Sequence, residues 1–370
     1  MRHVTIVQRI LPHYRVPFFS TLATLLERRG LLLRILYGRE QPGSVPTSVA
    51  VDDAWAIRVE NHYWLGGRLV WQPWLPLLGA SELIIAEHAN SLALTHRLVW
   101  RRMMGGHGKL AFWGHGTNLQ RGRGVGEGYK RWVAQQVDWW FAYTESSAAL
   151  IASTGFAFER ITVVNNSIDT VAISNARERV ADRERVRREL GIHGENVGIY
   201  CGGMYVDKRL DFLVAACQLI RRKIRDFELL VVGSGPTQGI VETAAEEHRW
   251  IHYVGPRFGS ALAPYLSAAR VYLMPGVAGL AIIDSFAAGV PMITTSIPMH
   301  GPELFYLKSG ENGLITTNTL QAYADGVCGI LGNPVRLQHL QTGCNRATRV
   351  YTLDAMAARY AEGVDRCLGI

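Results

Sequence analysis

Cysteine is scarce: Cys201, Cys217, Cys328, Cys344 and Cys367 are the only five in 370 residues. Their number is odd, no CxxC occurs and no histidine cluster adjoins them, which argues against a disulfide framework and a structural zinc site. They are expected to be core or surface thiols. HExxH and DxD patterns are missing too, and the adjacent Asp52 and Asp53 point to opposite sides of an extended chain. The expected chemistry therefore uses no protein-bound metal. No run of about 18 apolar residues exists; the most apolar stretch, Leu69 to Ala86, is broken by Pro73, Pro76, Gly79 and Glu82. The opening "MRHVTIVQRIL" carries no small-residue cleavage site and reads as a first strand, so the expected location is cytoplasmic.

The length implies two domains. Charge and aromatics are divided unequally between the halves. Residues 1 to 165 hold 18 Lys+Arg against 11 Asp+Glu and the rest 21 against 20, so the net +8 lies almost wholly in the first part, with nine of the ten tryptophans. Apolar runs of strand length alternate with helical stretches, the signature of α/β with parallel sheets. Strands are expected near 4–8, 31–36, 83–86, 109–113, 139–143 and 161–164, and again near 197–201, 228–232, 251–254, 271–274 and 291–294. The charged stretch "NNSIDTVAISNARERVADRERVRRELGIHGEN" separates the two series as a connection plus one exposed helix. Expected are an N-terminal domain over 1–168, a second over 169–352, and a last helix over 353–370 that packs back onto the first. Doubly wound sheets bind ligands beyond the carboxyl ends of their strands, so a cleft between two such domains is the expected site.

Several stretches are candidates for that site. "IYCGGMYVDKRLDFL" puts Gly202 and Gly203 after a strand and Lys208 with Arg209 at a helix start, a setting for a diphosphate or simply a turn with two solvated cations. "LLVVGSGPTQG" repeats the pattern at Gly233 and Gly235 but fails the dinucleotide spacing at Gln238; it offers a phosphate or ribose contact, or a plain strand-to-helix turn. His115 lies between Gly114 and Gly116 in "KLAFWGHGTNLQ", where an imidazole can donate, accept or polarise. His13, Tyr14 and Arg15 in "LPHYRVPFF" follow the first strand, and Arg15 suits an anionic or hydroxylated group. Glu87 ends the strand in "IIAEHAN". "HANSLALTHRLVWRRMM" and "LQRGRGVGEGYKRW" mix cations with Trp and Leu, as suits an anionic membrane surface or a solvated face. Nucleic acid is not an expected partner, because no RNP motif or reading helix is present.

The ordered series "VVNNSIDT", "YCGGMYVDKRLDFL", "LLVVGSGP", "HYVGPRF", "YLSAARVYLMPG", "GLAIIDSFAAGVPMITT" and "HGPELFYLKSGENGL" resembles retaining glycosyltransferases of family 4 (glycosyl transferases group 1). These have the GT-B fold, two Rossmann-like doubly wound domains facing across a cleft. The resemblance covers most of residues 160–335 and reaches the first half through "AFWGHGTNLQ". It implies a nucleoside-diphosphate sugar, UDP- or GDP-linked, held by the second domain, and a glycan or lipid-linked acceptor on the first. The sugar nucleotide is a co-substrate, and no cofactor is implied.

On this resemblance Lys208 contacts the donor phosphates and Asp284, shortened from the common Glu, bonds the ribose. Two departures stand out. Gly203 replaces an Arg usually found five residues before the Lys, so that less positive charge meets the diphosphate unless Arg209 or Arg257 substitutes. Gly276 replaces the first of two acids, which leaves sugar recognition more to the amides of Ala278, Gly279 and Leu280 at a helix N-terminus, or to other loops. His115 is assigned to the donor sugar or reaction centre, and His13, Tyr14, Arg15, Glu87 and Asn118 to the acceptor. The implied reaction retains the anomeric configuration, with leaving-group charge met by Lys208 and the helix N-terminus. The expected setting is bacterial surface polysaccharide or lipid-linked glycan synthesis, peripheral on the inner face of the membrane. A sugar-nucleotide epimerase of the same fold and a non-catalytic sugar-nucleotide-binding partner are the competing readings.

Overall fold

The computed structural model describes residues 2–41, 49–67, 69–79, 81–88, 93–116, 127–176 and 180–370. The chain divides into two compact units, Met1–Ile168 with Leu353–Ile370, and Asp169–Thr352.

The first unit is built on β1 (Arg2–Ile10), β2 (Leu31–Gly38), β3 (Ala56–Arg58), the β4–β5 hairpin (His62–Trp64, Leu69–Trp71), β6 (Ser81–Glu87), β7 (Lys109–Gly114), β8 (Trp139–Ala142) and β9 (Ile161–Val163). Seven of these form one sheet in the order β3-β2-β1-β6-β7-β8-β9, every pair parallel. A parallel sheet covered on both faces needs strands that are apolar throughout rather than alternating. β7 and β8 show why the sequence complies: Leu110 to Trp113 and Trp139 to Ala142 are all buried.

Helices α1 (Val16–Glu27), α2 (Ala93–Met103), α3 (Glu127–Gln135) and α4 (Glu145–Ala152) cover the sheet. On one face α1 buries Phe18, Phe19, Leu22 and Leu26, and the C-terminal helix Leu353–Leu368 lies beside it. That helix buries Met356, Tyr360 and Val364 at a spacing of four residues, one stripe of a helical face. Tyr360 stacks on Phe141 with ring centroids 4.2 Å apart. Gly363 is where the helix comes nearest the sheet: a Cβ there would meet Thr162 Oγ1 at 2.6 Å.

The second unit repeats the plan. β10 (Asn196–Cys201), β11 (Phe227–Val232), β12 (Ile251–Tyr253), β13 (Val271–Met274), β14 (Met292–Thr295) and β15 (Gly313–Thr316) lie in the order β12-β11-β10-β13-β14-β15. Around them run α5 (Val171–Ala176), α6 (Val180–Leu190), α7 (Leu210–Lys223), α8 (Gly239–Glu247), α9 (Ala263–Ser267), α10 (Ala281–Ala288), α11 (Leu320–Leu331) and α12 (Pro334–Val350). Thr319 and Asn333 cap α11 and α12 through their side-chain oxygens. In each sheet the strand order reverses beside its first strand, between β1 and β6 and between β10 and β13. That reversal leaves a crevice at the carboxyl ends where two loops diverge.

The structure departs from the sequence reading at short elements. β3, β4, β5 and β15 were not expected, each being three or four residues long, and the charged connection holds two helices, α5 and α6, where one was expected. Among the described residues no helix is both long and apolar enough to cross a membrane.

Candidate functional site

In the second unit the loops after β10 and β13 meet at the reversal point. The chain leaves β10 through Gly202 and Gly203, makes a 3-10 turn over Val206–Lys208 and enters α7 at Arg209, which has left-handed backbone angles (φ 58°, ψ 53°). A non-glycine residue there is strained, and the neighbouring contacts hold it. Its guanidinium donates to Asn318 Oδ1 at 2.7 Å and lies 4.2 Å from the Phe212 ring centroid, with longer contacts to Thr295 Oγ1 and the Pro275 carbonyl. Arg209 thus braces the ends of β13 and β14 and is not a free cation beside Lys208.

Lys208 is half-buried, and its ammonium donates to the carbonyl of Val277 in the loop ahead of α10. Burial lowers its pKa, since a charge withdrawn from water is disfavoured. The Val277 amide in turn donates to the Asp207 carbonyl at 2.9 Å. Between these bonds lies Gly276, and a Cβ there would stand 2.3 Å from the Asp207 carbonyl oxygen and 2.5 Å from the Lys208 backbone. Glycine at this position follows from two main chains crossing in contact. No acid fits on this backbone.

The same loop is fastened by a residue the sequence reading passed over. His300 Nδ1 lies 3.1 Å from the Ala278 amide and Nε2 lies 2.7 Å from the Thr295 carbonyl. The amide can only donate and the carbonyl can only accept, so the imidazole is neutral with its proton on Nε2. Burial lowers its pKa in the same sense, and the nearby Lys208 charge adds to the effect. Ala278 therefore has no amide to offer a ligand, which corrects the expectation for that residue. Gly279 and Leu280 keep theirs, at the start of α10. Beside them Glu303 is buried, its Oε2 3.9 Å from where a Cβ on Gly279 would sit. The motif "HGPEL" was the available signal for both His300 and Glu303.

Asp284, in the first turn of α10, is half-buried near Cys201 and Tyr272. No cation among the described residues offsets its desolvation, and its carboxyl is pushed up to about 7. It accepts no hydrogen bond among the described residues, so it keeps full accepting capacity.

The remaining glycines have packing reasons. Gly233 (φ 136°) would bring a Cβ to 2.0 Å from the Gly202 carbonyl, and Gly235 (φ 156°) to 2.5 Å from that of Met204. The amides of Gly202, Gly233 and Gly235 are bonded to the Val232 carbonyl, the Gly255 carbonyl and Gln238 Oε1. These three residues lock the two loops together and have no N–H left for an anion, a correction to the phosphate-cradle expectation. At Gly203 a Cβ would stand 2.6 Å from the Tyr205 ring, and its carbonyl accepts from Tyr200 at 2.8 Å. Arg257 donates to the carbonyl of neighbouring Pro256 and lies 5.6 Å from the Tyr265 ring, in the loop after the edge strand β12. It does not join the Lys208 group.

In the first unit the carboxyl ends of β1, β6, β7 and β8 gather Arg15, Glu87, His88, His115 and Tyr143. Glu87 Oε2 faces the Arg9 amide at a long 3.5 Å, where β1 slips register against β2 between Val7 and Ile10. His115 packs edge-on to Tyr143, centroids 6.3 Å apart. The space its flanking glycines leave is filled by protein rather than left for a ligand: a Cβ on Gly116 would meet Ile151 at 2.4 Å, and one on Gly114 faces His88 at 3.6 Å. His88, also unforeseen, wedges between Phe112 and Trp140, and burial drives its pKa down to about 3. His13 and Tyr14 are exposed and contact one another edge-on. Asn118 lies outside the described residues.

Residues 195–333 match the family model described as Glycosyl transferases group 1. The GDP-mannose-dependent alpha-(1-6)-phosphatidylinositol dimannoside mannosyltransferase of Mycobacterium tuberculosis is 26% identical over 221 residues, covering 56% of this chain and 55% of that protein. The match thus spans about half the length of the curated relative. Among solved structures, Anabaena Alr3699/HepE in complex with UDP superposes with a TM-score of 0.72 at 15% identity, covering 99% of this chain and all of the other. A glycosyltransferase from Rickettsia africae gives 0.73 at 15% identity with 99% and 98% covered, and sucrose-phosphate synthase from Thermosynechococcus elongatus 0.70 at 17% with 98% of each. These likenesses establish the GT-B fold, with two Rossmann-like domains in one chain.

Proposed function

We propose that the protein is a glycosyltransferase that moves a hexose from a nucleoside-diphosphate sugar to a glycan or lipid-linked acceptor, with retention of configuration. The observation that carries this is the Lys208–Val277–α10 arrangement inside the segment that matches group 1 glycosyltransferases. A desolvated ammonium and the free amides of Gly279 and Leu280 supply positive charge where a diphosphate leaving group would gain negative charge. Asp284, an uncommitted carboxylate one turn along, accepts from ribose hydroxyls. Glycosyl transfer then needs positive charge at the leaving group and no strong side-chain base, because the departing phosphate oxygen can take the acceptor hydroxyl proton. The same reading assigns His115 to the transferred sugar. Solved relatives bind UDP and UDP-glucose and the mycobacterial relative is named for GDP-mannose, which supports a UDP- or GDP-linked donor.

The setting we infer is surface glycan synthesis, with the first unit resting on an anionic membrane. In support, Trp100, Met103 and Met104 at the end of α2 are 59%, 57% and 82% exposed beside Arg101 and Arg102. α3 adjoins α2 through the stacked His96 and Tyr129 and exposes Tyr129 and Trp132. Aromatics and cations at one surface suit a headgroup layer.

The test is incubation with UDP-, GDP- and dTDP-sugars, alone and with membrane lipid extract. Donor consumption only with extract is expected, and Lys208→Ala should slow it about 100-fold. Conversion without any acceptor points instead to an epimerase. If no donor binds and Lys208→Ala changes nothing, the transferase reading fails.

A further inference from the structure

Arg15 is 5% exposed, at the end of the 3-10 turn between β1 and α1. Its guanidinium carbon lies 5.0 Å from the Trp113 ring centroid, 5.4 Å from Tyr14 and 5.9 Å from Tyr143, and Nη1 lies 3.9 Å from Met356 Sδ. Among the described residues no carboxylate pairs with it. Aromatic faces and a thioether offset part of a buried cation's desolvation, but they accept almost none of its five N–H groups. For stability alone a methionine or leucine would fill this position better. A buried guanidinium that is only partly compensated is expected where an anion arrives in the working state. Its place fits, since it follows β1 at the point where the strand order of this sheet reverses, with His115 and Tyr143 at the neighbouring strand ends.

We propose that Arg15 receives an oxyanion carried by the acceptor, so that the acceptor of this enzyme is acidic. The planar fork of arginine matches the two oxygens of a phosphate or a carboxylate, and the flanking rings exclude water from the pair. The anion is assigned to the acceptor because Lys208 and α10, in the other unit, serve the donor. To that extent the inference rests on the proposed function.

The experiment uses the full chain as wild type, Arg15→Lys and Arg15→Met. Hydrogen exchange of the segment around residues 11–19 is followed with inorganic phosphate, octyl phosphate, glucuronate or neutral glucose, while UDP and GDP affinities are measured separately. Phosphate or glucuronate should slow exchange in the wild type about tenfold, with no effect of glucose and none in Arg15→Met. Arg15→Lys should retain only a minor part, because it keeps the charge without the fork. Octyl phosphate outperforming phosphate identifies a lipid phosphate, and a response to glucuronate alone identifies a sugar acid. Arg15→Met should melt no lower than wild type without anion and bind nucleoside diphosphates within twofold. Protection that persists in Arg15→Met, or loss of nucleoside diphosphate affinity in that variant, overturns the proposal. If the wild type binds no nucleoside diphosphate, the donor reading fails, while the exchange data still decide whether Arg15 holds an oxyanion.

Discussion

The loop after β1 and the loop after β10 both lie where the strand order reverses, one in a seven-stranded sheet and one in a six-stranded sheet, yet they hold their cations differently. After β1 a 3-10 turn delivers Arg15 into a nest of aromatic rings, a buried cation that no carboxylate among the described residues pairs with. After β10 a 3-10 turn delivers Lys208 onto a backbone carbonyl and Arg209 into a brace, with Gly233, Gly235 and Gly276 consumed by main-chain crossings. The doubly wound order decides where a ligand is met. Whether the meeting place is hydrophobic and charged or made of backbone is decided by the residues that fill it.

The sharpest way to break this comparison is at the backbone crossing. Gly276→Ala sets a Cβ 2.3 Å from the Asp207 carbonyl and should destabilise the second unit by ~3 kcal/mol in chemical denaturation, leaving exchange in the first unit unchanged. Gly276→Glu should likewise lower transfer rather than restore a missing acid. An alanine variant as stable as wild type would show that the crossing can relax.

Asp284 comes next. Its folded pKa of about 7 lies above the unfolded carboxyl value, so its contribution to stability is present below about pH 4 and lost as pH rises to about 7. Asp284→Asn should remove that slope and raise stability at pH 8 by ~2 kcal/mol, a figure reduced from the full linkage because the residue is only half-buried. Ribose hydroxyls bind the ionised form, so wild-type nucleotide affinity should rise with pH up to about 7 and be about tenfold weaker in the variant. Calorimetry from pH 5.5 to 8.5 checks both, and a flat wild-type profile counts against the ribose role.

The smallest effect runs the other way in the first unit. His88 is held neutral, with a pKa of about 3 against 6.5 unfolded, so its contribution is lost as pH falls below 6.5. About 1 kcal/mol, half the full linkage because the residue is only half-buried, should be gone by pH 5, read as faster exchange at the ends of β6 and β7, and His88→Gln should flatten the response. Equal acid responses in wild type and variant would remove His88 from the contrast between units.

Much of this was readable in advance because burial on both faces forces long apolar strands. β1, β2, β6 to β8, β10, β11, β13 and β14 stand out as apolar runs, and β9 and β12, three residues each, were read from their place in the alternation with helices, whereas β3 and the β4–β5 hairpin are as short and mostly not buried. The site was legible in part. Lys208 and Arg15 stood out as cations at helix starts shortly after an apolar strand, and Asp284 as the one carboxylate of an apolar segment, its role given by the family resemblance. His300 was not, since a histidine in a loop has no spacing that reveals two backbone partners, one of them 22 residues earlier.

The sequence by itself determined the alternation, the two sheets and the placing of charge at strand ends, because these depend on local composition and period. Only the tertiary structure decided why Gly276 is a glycine, which amides of the α10 loop stay open, and that Arg15 is buried with no counterion among the described residues. Each of these depends on which segments distant in sequence come within a few ångströms of one another, and steric exclusion and desolvation act at that range.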